Sequence, residues 1–446
     1  MHQKFSVLIK EKISKFNKTI NVEGDKSLSL RSILIASQCV GISRIKNLLE
    51  SEDVLNCIQA LRKLGVKIKK DKNLYTVYGN GLGSFRKKKI TKIFVGNSGT
   101  TCRLLFGLLS THSGKFYLHG DSSMNKRDMS RIIKPLEKIG CFFYPPNKTT
   151  LPLTIEGTDI PLAQKHVEKI GSAQVKSSIL LASLATAGIT TIEEKKISRD
   201  HTENLLKMVG ANIKIKKLKK SNLISLKGQK NIYGFNYLIP TDPSSAAFFI
   251  ALTLLTPGSK LLIKNVNCNP TRIGFISILK KMNAKIIIKN LNRKSGELIG
   301  DILVKSSNLK PINCSKKFVP SSIDEFPLLF VIASLLKGIS KFSGIRELRH
   351  KESDRIKNME IGLNKIGIKT KSTENSLMIF GNPNLKIKKT LKIFPKNDHR
   401  IAMSYVILGL LIGGPIKIYN CNTINTSFPS FLKLVQKKFG GKFERK

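Results

Sequence analysis

The sequence predicts a mixed α/β protein of six similar strand–helix–strand–helix–strands units, grouped as two similar lobes of three. A Gly- or hydroxyl-rich turn that runs into an apolar helix recurs roughly every 70 to 80 residues, a long-period internal repeat. Each such start is followed, roughly 40 to 47 residues later, by the Gly or Asn that stops a helix-period apolar segment. At 446 residues the chain is also too long for one ordinary core.

In chain order, residues 1–20 read as one or two starter strands, at 6–9 and around Ile13. The first helix start is Gly24-Asp25-Lys26-Ser27-Leu28-Ser29-Leu30-Arg31, running on through 32–37. The others open at Gly96-Asn97-Ser98-Gly99, Gly171-Ser172-Ala173-Gln174, Asp242-Pro243-Ser244-Ser245, Pro320-Ser321-Ser322-Ile323-Asp324-Glu325 and Asn397-Asp398-His399-Arg400. Backbone amides at a helix start face outward, and the helix dipole favours an anion there. Lys26 and Arg31 add full charges to that partial one. The second, periodic helices stop at Gly65, Gly140, Gly210, Asn283, Gly367 and near Gly440, residues that accept a left-handed conformation.

Three units fill 21–240 and three fill 241–446, with the break near Pro240-Thr241-Asp242-Pro243. Two lobes whose helix starts face each other would form a cleft of converging positive ends, suited to substrates carrying several negative groups.

Hydrophobic residues make up 41% of the chain, ample for globular folding, and the longest apolar run, 401–413, is too short for a membrane span. The first residues lack the apolar core of a signal peptide. Seven scattered cysteines, with no Cys-x-x-Cys pair, point to reduced thiols in a cytoplasm rather than to disulfides or zinc. No His-rich constellation suggests a metal, and nothing suggests an organic cofactor. A formal charge of +49 is the footprint of a polyanion partner. The lysines are dispersed, however, and no basic stretch is interleaved with aromatics. The charge therefore reads as a compositional bias that favours small anionic substrates, with Arg86-Lys87-Lys88-Lys89 a solvated loop or edge.

Six motifs together resemble one family: Gly-Asp-Lys-Ser-x-Ser-x-Arg at 24–31, Gly-Asn-Ser-Gly-Thr at 96–100, Gly-Ser-Ala-Gln-Val-Lys-Ser at 171–177, Ile-Asp-Glu-Phe-Pro at 323–327, Lys-Glu-Ser-Asp-Arg at 351–355 and Asp-His-Arg-Ile-Ala-Met at 398–403. In order and spacing they are similar to the 5-enolpyruvylshikimate-3-phosphate synthases, over essentially the whole chain. Gly120 to Arg127, Ser172-Ala173-Gln174 and Arg199-Asp200-His201-Thr202 resemble the family's class II branch. The resemblance implies two lobes of three βαβαββ repeats each, the inside-out α/β barrel of the enolpyruvyl transferases, with the active site between them. The implied domains are 1–20 with 241–446, and 21–240, because the N-terminal strand would belong with the C-terminal lobe. The implied reaction moves the enolpyruvyl group of phosphoenolpyruvate to the 5-hydroxyl of shikimate 3-phosphate by addition and then elimination of phosphate. It needs no cofactor, and a monomer is expected.

By residue match, Lys26, Gly99, Arg127, Gln174, Arg355 and Arg400 would hold phosphoenolpyruvate. Lys26, Ser27, Arg31, Ser172, Ala173, Gln174, Arg199, Asp324 and Lys351 would hold shikimate 3-phosphate. Arginine suits both partners, since its planar fork grips two oxygens of a carboxylate or phosphate. Asp324 would be the base for the 5-hydroxyl. Glu352 is matched to the methylene carbon, and Lys26 is a second proton donor. A carboxylate among cations has a lowered pKa, so an acid role for Glu352 requires opposing desolvation or bound substrate. In isolation Asp324 also reads as a helix cap and Glu352 as an ion-pair partner of Arg355.

The sequence departs from the family pattern at Glu23, usually Pro, at Asp128, often Pro, and at Thr426-Ser427-Phe428-Pro429, which lacks the Lys of the class I branch. Some class II members carry Ala at the position of Gly99, which crowds the inhibitor glyphosate; with Gly99 this chain is expected to remain sensitive. Three other readings are weighed. The related UDP-N-acetylglucosamine enolpyruvyltransferases carry Lys-Asn where this chain has Lys26-Ser27, and a reactive Cys in the loop matching 114–127, which has none here. The RNA 3′-phosphate cyclases need a late nucleophilic His, for which only His399 is available. A non-enzymatic nucleic-acid binder rests on charge alone.

Overall fold

The computed structural model describes residues 4–85 and 89–445, so three of the four residues of the basic run at 86–89 lie outside it. The described residues form six four-stranded sheets of one design. In the first, Val40–Lys46 pairs in parallel with Asn236–Leu238 and antiparallel with Leu74–Asn80, which pairs in turn with Lys67–Asp71. The sheets centred on Gly114–His119 and on Ile189–Glu194 repeat this order of one parallel and two antiparallel pairings.

The N-terminal residues complete two of the remaining sheets. Asn17–Ile20 is the edge strand parallel to Lys260–Asn267, and Val7–Ile9 lies between Ile416–Ile418 and Phe443–Arg445. The second starter strand therefore lies at 17–20 and not around Ile13. Ile13 is instead a buried anchor whose amide donates to the Leu410 carbonyl at 2.8 Å.

Each predicted helix start opens a core helix: Lys26–Gln38, Gly99–Leu109, Ala173–Ser183, Pro243–Leu255, Phe326–Ser334 and His399–Ile412. They are buried almost along their whole length, as expected of helices with no broad polar face. Several of their interior hydroxyls bond back along the helix, as where Ser32 donates to the Ser29 carbonyl at 3.0 Å and Ser37 to that of Leu34 at 2.6 Å, whereas the buried hydroxyls of Ser178 and Ser404 have no hydrogen-bond partner among the described residues. Gly107 permits two of these helices to touch, since a Cβ there would lie 2.1 Å from the Ser178 carbonyl oxygen.

The second helices (Glu52–Lys63, Ser130–Glu137, His201–Met208, Gly274–Lys281, Arg355–Lys365 and Phe431–Phe439) bury one side only. After each comes the predicted stop: Gly65, Gly140, Gly210, Asn283, Gly367 and Gly440 all have φ between 68° and 112°.

The chain divides into two compact units. One comprises the residues up to Glu23, Pro240–Asn292 and those from Leu298 onward; the other comprises Gly24–Ile239 and Arg293–Glu297. Each has its own core, around Phe249, Phe330 and Tyr405 in the first and Leu105, Phe106 and Ile179 in the second. Among the described residues no helix is long and apolar enough to cross a membrane.

Candidate active site

In the unit of Gly24–Ile239, the helix starts cap themselves. Asp25 accepts from the Leu28 amide at 3.0 Å, Ser98 from Thr101 at 3.2 Å and Ser172 from Val175 at 3.4 Å. Each cap uses one of the four amides that a helix start leaves unpaired. The Lys26 ammonium stands 3.0 Å from Asp53 at the start of the next helix. One turn on, Arg31 is only 3% exposed. Its Nε donates to Thr202 Oγ1 at 2.9 Å, Nη2 to Ser177 Oγ and Nη1 to the Ser27 carbonyl, both at 3.1 Å.

Gln174 is oriented from both ends of its amide. Arg103 Nη1 donates to its Oε1 at 2.7 Å, and its Nε2 donates to Thr100 Oγ1 at 2.9 Å. Arg127 Nη2 donates to Asn97 Oδ1 at 2.5 Å, and Asn97 in turn donates to Asp121 at 2.5 Å. Gly99 lies where the two guanidiniums close in, because a Cβ there would be 2.9 Å from Nη1 of both Arg103 and Arg127. Ser172, Ala173 and Arg199 complete this set, Arg199 lying just before the helix His201–Met208; all three are half-buried.

The other unit holds Asp324, Lys351, Glu352, Arg355 and Arg400. Asp324 lies in the turn before Phe326–Ser334, and the cap position belongs to Glu325, so Asp324 is not the cap that its place in the motif allowed. Its carboxylate is 3.6 Å from Arg272 Nη1, 3.7 Å from Arg355 Nη1 and 4.0 Å from Arg400 Nη2, in reach of three charges at distances longer than hydrogen bonds. Arg355, 1% exposed, donates through Nε to Asp398 at 2.8 Å and through Nη2 to Glu352 at 2.5 Å. Burial opposes the charge on Arg355, but Asp398 and then Glu352 outweigh it and hold the guanidinium above the usual arginine range. Lys351 is shifted the other way: burial first, helped by Arg355 and opposed by Asp324, holds its ammonium below the usual lysine range.

The three arginines matched to phosphoenolpyruvate share one feature. Arg127 Nε, Arg355 Nη1 and Arg400 Nε are buried donors with no hydrogen-bond acceptor among the described residues. Buried donors are rarely left so, and each is suited to an anionic oxygen.

Sequence reading missed Arg272. Its Nη2 meets Ser244 Oγ at 3.0 Å and Asp242 at 3.2 Å, besides its approach to Asp324. The repeat itself carried the clue. Asp53, Arg127, Arg199, Arg272, Arg355 and Thr426 all follow the start of their core helix by roughly 26 to 29 residues, just before or within the second helix. Arg103, which orients Gln174, was missed as well.

The residues that depart from the family pattern make local contacts. Asp128 accepts from the Ser130 amide and hydroxyl at 3.1 and 2.5 Å at the entry to the helix Ser130–Glu137. Thr426 meets the ring of buried His399 at 3.3 Å. The Glu23 carbonyl accepts the Asp242 amide at 3.0 Å. Among the described residues no cluster of His, Cys, Asp and Glu is arranged to hold a metal.

Comparison with known proteins matches residues 10–434 to the family EPSP synthase (3-phosphoshikimate 1-carboxyvinyltransferase). The 3-phosphoshikimate 1-carboxyvinyltransferase of Zymomonas mobilis is 39% identical over 98% of this chain and 97% of its own. That of Petrotoga mobilis is 42% identical over 94% and 96%. The EPSP synthase structure from Acinetobacter baumannii superposes with a TM-score of 0.85 at 37% identity over the whole of both chains. The enolpyruvyl transferase NikO from Streptomyces tendae, at 13% identity and a TM-score of 0.78 over 100% of this chain and 99% of its own, shares the fold.

Proposed function

Because this chain belongs to the EPSP synthase (3-phosphoshikimate 1-carboxyvinyltransferase) family, we propose that it transfers the enolpyruvyl group of phosphoenolpyruvate to the 5-hydroxyl of shikimate 3-phosphate, releasing phosphate. The observation that carries the site assignment is the set of buried, acceptor-less guanidinium donors on Arg127, Arg355 and Arg400. They take the carboxylate and phosphate of phosphoenolpyruvate, with Lys26, Gln174 and the backbone at Gly99. Arg31, Ser27, Ser172, Ala173, Gln174, Arg199, Lys351 and Lys26 take shikimate 3-phosphate.

Asp324 accepts the proton of the 5-hydroxyl as its oxygen attacks the central carbon of phosphoenolpyruvate. Its contacts with three arginines, at 3.6, 3.7 and 4.0 Å, support this role, since they set the carboxylate among cations that include two matched to the second substrate. The methylene carbon gains a proton in this addition and loses one as phosphate departs. Glu352 is paired with Arg355 at 2.5 Å, so it delivers a proton only once bound substrate opposes that pairing. Lys26 is the second donor.

We place the reaction in the cytoplasm, in keeping with seven cysteines that are all free and buried, and assign the chain as a monomer without a nucleic-acid partner. The dispersed lysines then serve to draw in small anions. The sister transferase and the nucleic-acid binder are not favoured by relatives that all carry one activity in their names.

Phosphate release from phosphoenolpyruvate is expected only when shikimate 3-phosphate is present. Release without it, or none beside salt-sensitive RNA binding, overturns the reading. Gly99→Ala should raise the glyphosate inhibition constant and the KM for phosphoenolpyruvate by about ten- to a hundredfold, because the new methyl pushes on Arg103 and Arg127. An inhibition constant for the wild type no lower than that of the variant would refute the expected sensitivity.

A further inference from the structure

Outside the groups given a role above lies a cluster of three buried ions. The Lys176 ammonium, 0% exposed, meets Glu194 Oε1 at 2.8 Å and Glu203 Oε1 at 2.6 Å. Such a cluster is a poor source of stability, because desolvation offsets the attraction, and apolar side chains of similar volume often serve better. Burial raises the Glu203 carboxyl above its ordinary range against the pull of Lys176, and its Oε2 has no hydrogen-bond partner among the described residues. A cluster held at this cost invites a positional explanation.

Its neighbours supply one. Lys176 precedes Ser177 on one helix, and Glu203 follows Thr202 on another. The two helices are thus joined by successive links, the Lys176–Glu203 ion pair and a 2.7 Å hydrogen bond between the Ser177 and Thr202 hydroxyls. Arg31 places Nε on Thr202 and Nη2 on Ser177, so its guanidinium rests on the second link. The other carboxylate, Glu194, accepts the Ser198 amide at 2.9 Å and hydroxyl at 2.5 Å, fixing the turn immediately before Arg199. One ammonium therefore bears on the setting of two arginines.

We propose that Lys176 is a positioning residue for the shikimate 3-phosphate subsite: through Glu203 it aligns the hydroxyl pair that orients Arg31, and through Glu194 the turn that presents Arg199. The proposal rests on the assignment of those two arginines to that substrate. Removing the ammonium deletes the ion pair between the two helices beside the seat of Arg31, and leaves Glu203 and the strand-end Glu194 buried and repelling, so the Ser198 turn loosens as well. Binding of phosphoenolpyruvate through Arg127 does not pass through these contacts.

The test compares Lys176→Met, Lys176→Arg, Glu203→Gln and Arg31→Ala in steady-state kinetics, with thermal unfolding of each full-length variant. Lys176→Met is expected to raise the KM for shikimate 3-phosphate by about ten- to a hundredfold, the scale of a misplaced binding group, with the KM for phosphoenolpyruvate and kcat little changed. Lys176→Arg, which can still bridge both carboxylates, should recover part of the loss. Glu203→Gln keeps the shape, should show the same selective change more weakly, and stands in for Lys176→Met if that chain does not fold. Equal rises in both KM values, or lost stability with unchanged kinetics, overturn the proposal. If Arg31→Ala leaves the KM for shikimate 3-phosphate unchanged, the underlying assignment fails. If Arg31→Ala raises it but neither Lys176→Met nor Glu203→Gln does, the positioning role fails by itself.

Discussion

Asp324→Asn is expected to lower kcat by about 10²- to 10⁴-fold, the range lost when a positioned base is removed, while the KM for phosphoenolpyruvate stays the same or falls. The two effects have one cause. The carboxylate lies 3.6 to 4.0 Å from Arg272, Arg355 and Arg400, and asparagine keeps its size but not its charge. The three guanidiniums then have less negative charge to offset them and attract an anionic substrate at least as well. The proton of the 5-hydroxyl, in contrast, loses its acceptor. Reduced turnover without weakened binding separates a base from a residue that merely holds substrate. Steady-state kinetics with either substrate varied give both parameters. A kcat within a few-fold of wild type, or a large rise in the KM for phosphoenolpyruvate at unchanged kcat, removes Asp324 from the base role.

Arg355→Met should abolish detectable turnover and also cost about 3–5 kcal/mol of stability, the usual penalty for removing one partner of a buried ion pair. Arg355 is the shared cation of Asp398, which is fully buried, and Glu352, and it approaches Asp324. Asp398 also caps the core helix His399–Ile412 by accepting the Arg400 amide at 2.9 Å. Without the guanidinium, Asp398 is left buried with its charge uncompensated, and the strain falls on the helix start that carries Arg400. Arg355→Lys restores a charge but not the planar fork that serves Asp398 and Glu352 together, so it should regain part of the stability and little of the activity. Urea unfolding followed beside the phosphate-release assay resolves the two losses. A Met variant as stable as wild type would show that the pairing with Asp398 carries no net stabilisation.

The repeat was legible because its marks are local. An Asp or Ser whose side chain reaches an amide two or three residues ahead writes a helix start, as at Asp25, Ser98 and Asp398. A residue able to take positive φ writes the stop, as at Gly65 and Asn283. The match to family motifs then named Arg127, Arg355 and Arg400, each of which carries a buried donor without an acceptor among the described residues, a feature that Arg272 shares. The places of Val7–Ile9 and Asn17–Ile20 in their sheets were less legible. Their partners lie hundreds of residues away, and a three- or four-residue strand has too short a pattern to declare its edges.

Arg272 and Arg103 show a different limit. Both stand in plain view in the sequence, but what each does depends on which acceptor folding brings to it: Asp242 from its own repeat and Asp324 from the next for one, Gln174 from another repeat for the other. The Lys176 cluster is a stronger case, for nothing in the spacing of residues 176, 194 and 203 announces an ion triad. By itself the sequence determined the α/β class, the six repeats with their starts and stops, and the family with its reaction, because caps, periodicity and motif order act over a few residues at a time. Only the tertiary structure decided how Asp324 stands among its arginines, which guanidinium donors stay unpaired and what holds Arg31 in place. Those outcomes depend on burial and on contacts between repeats, where desolvation makes every donor require a partner and the fold alone selects which one it meets.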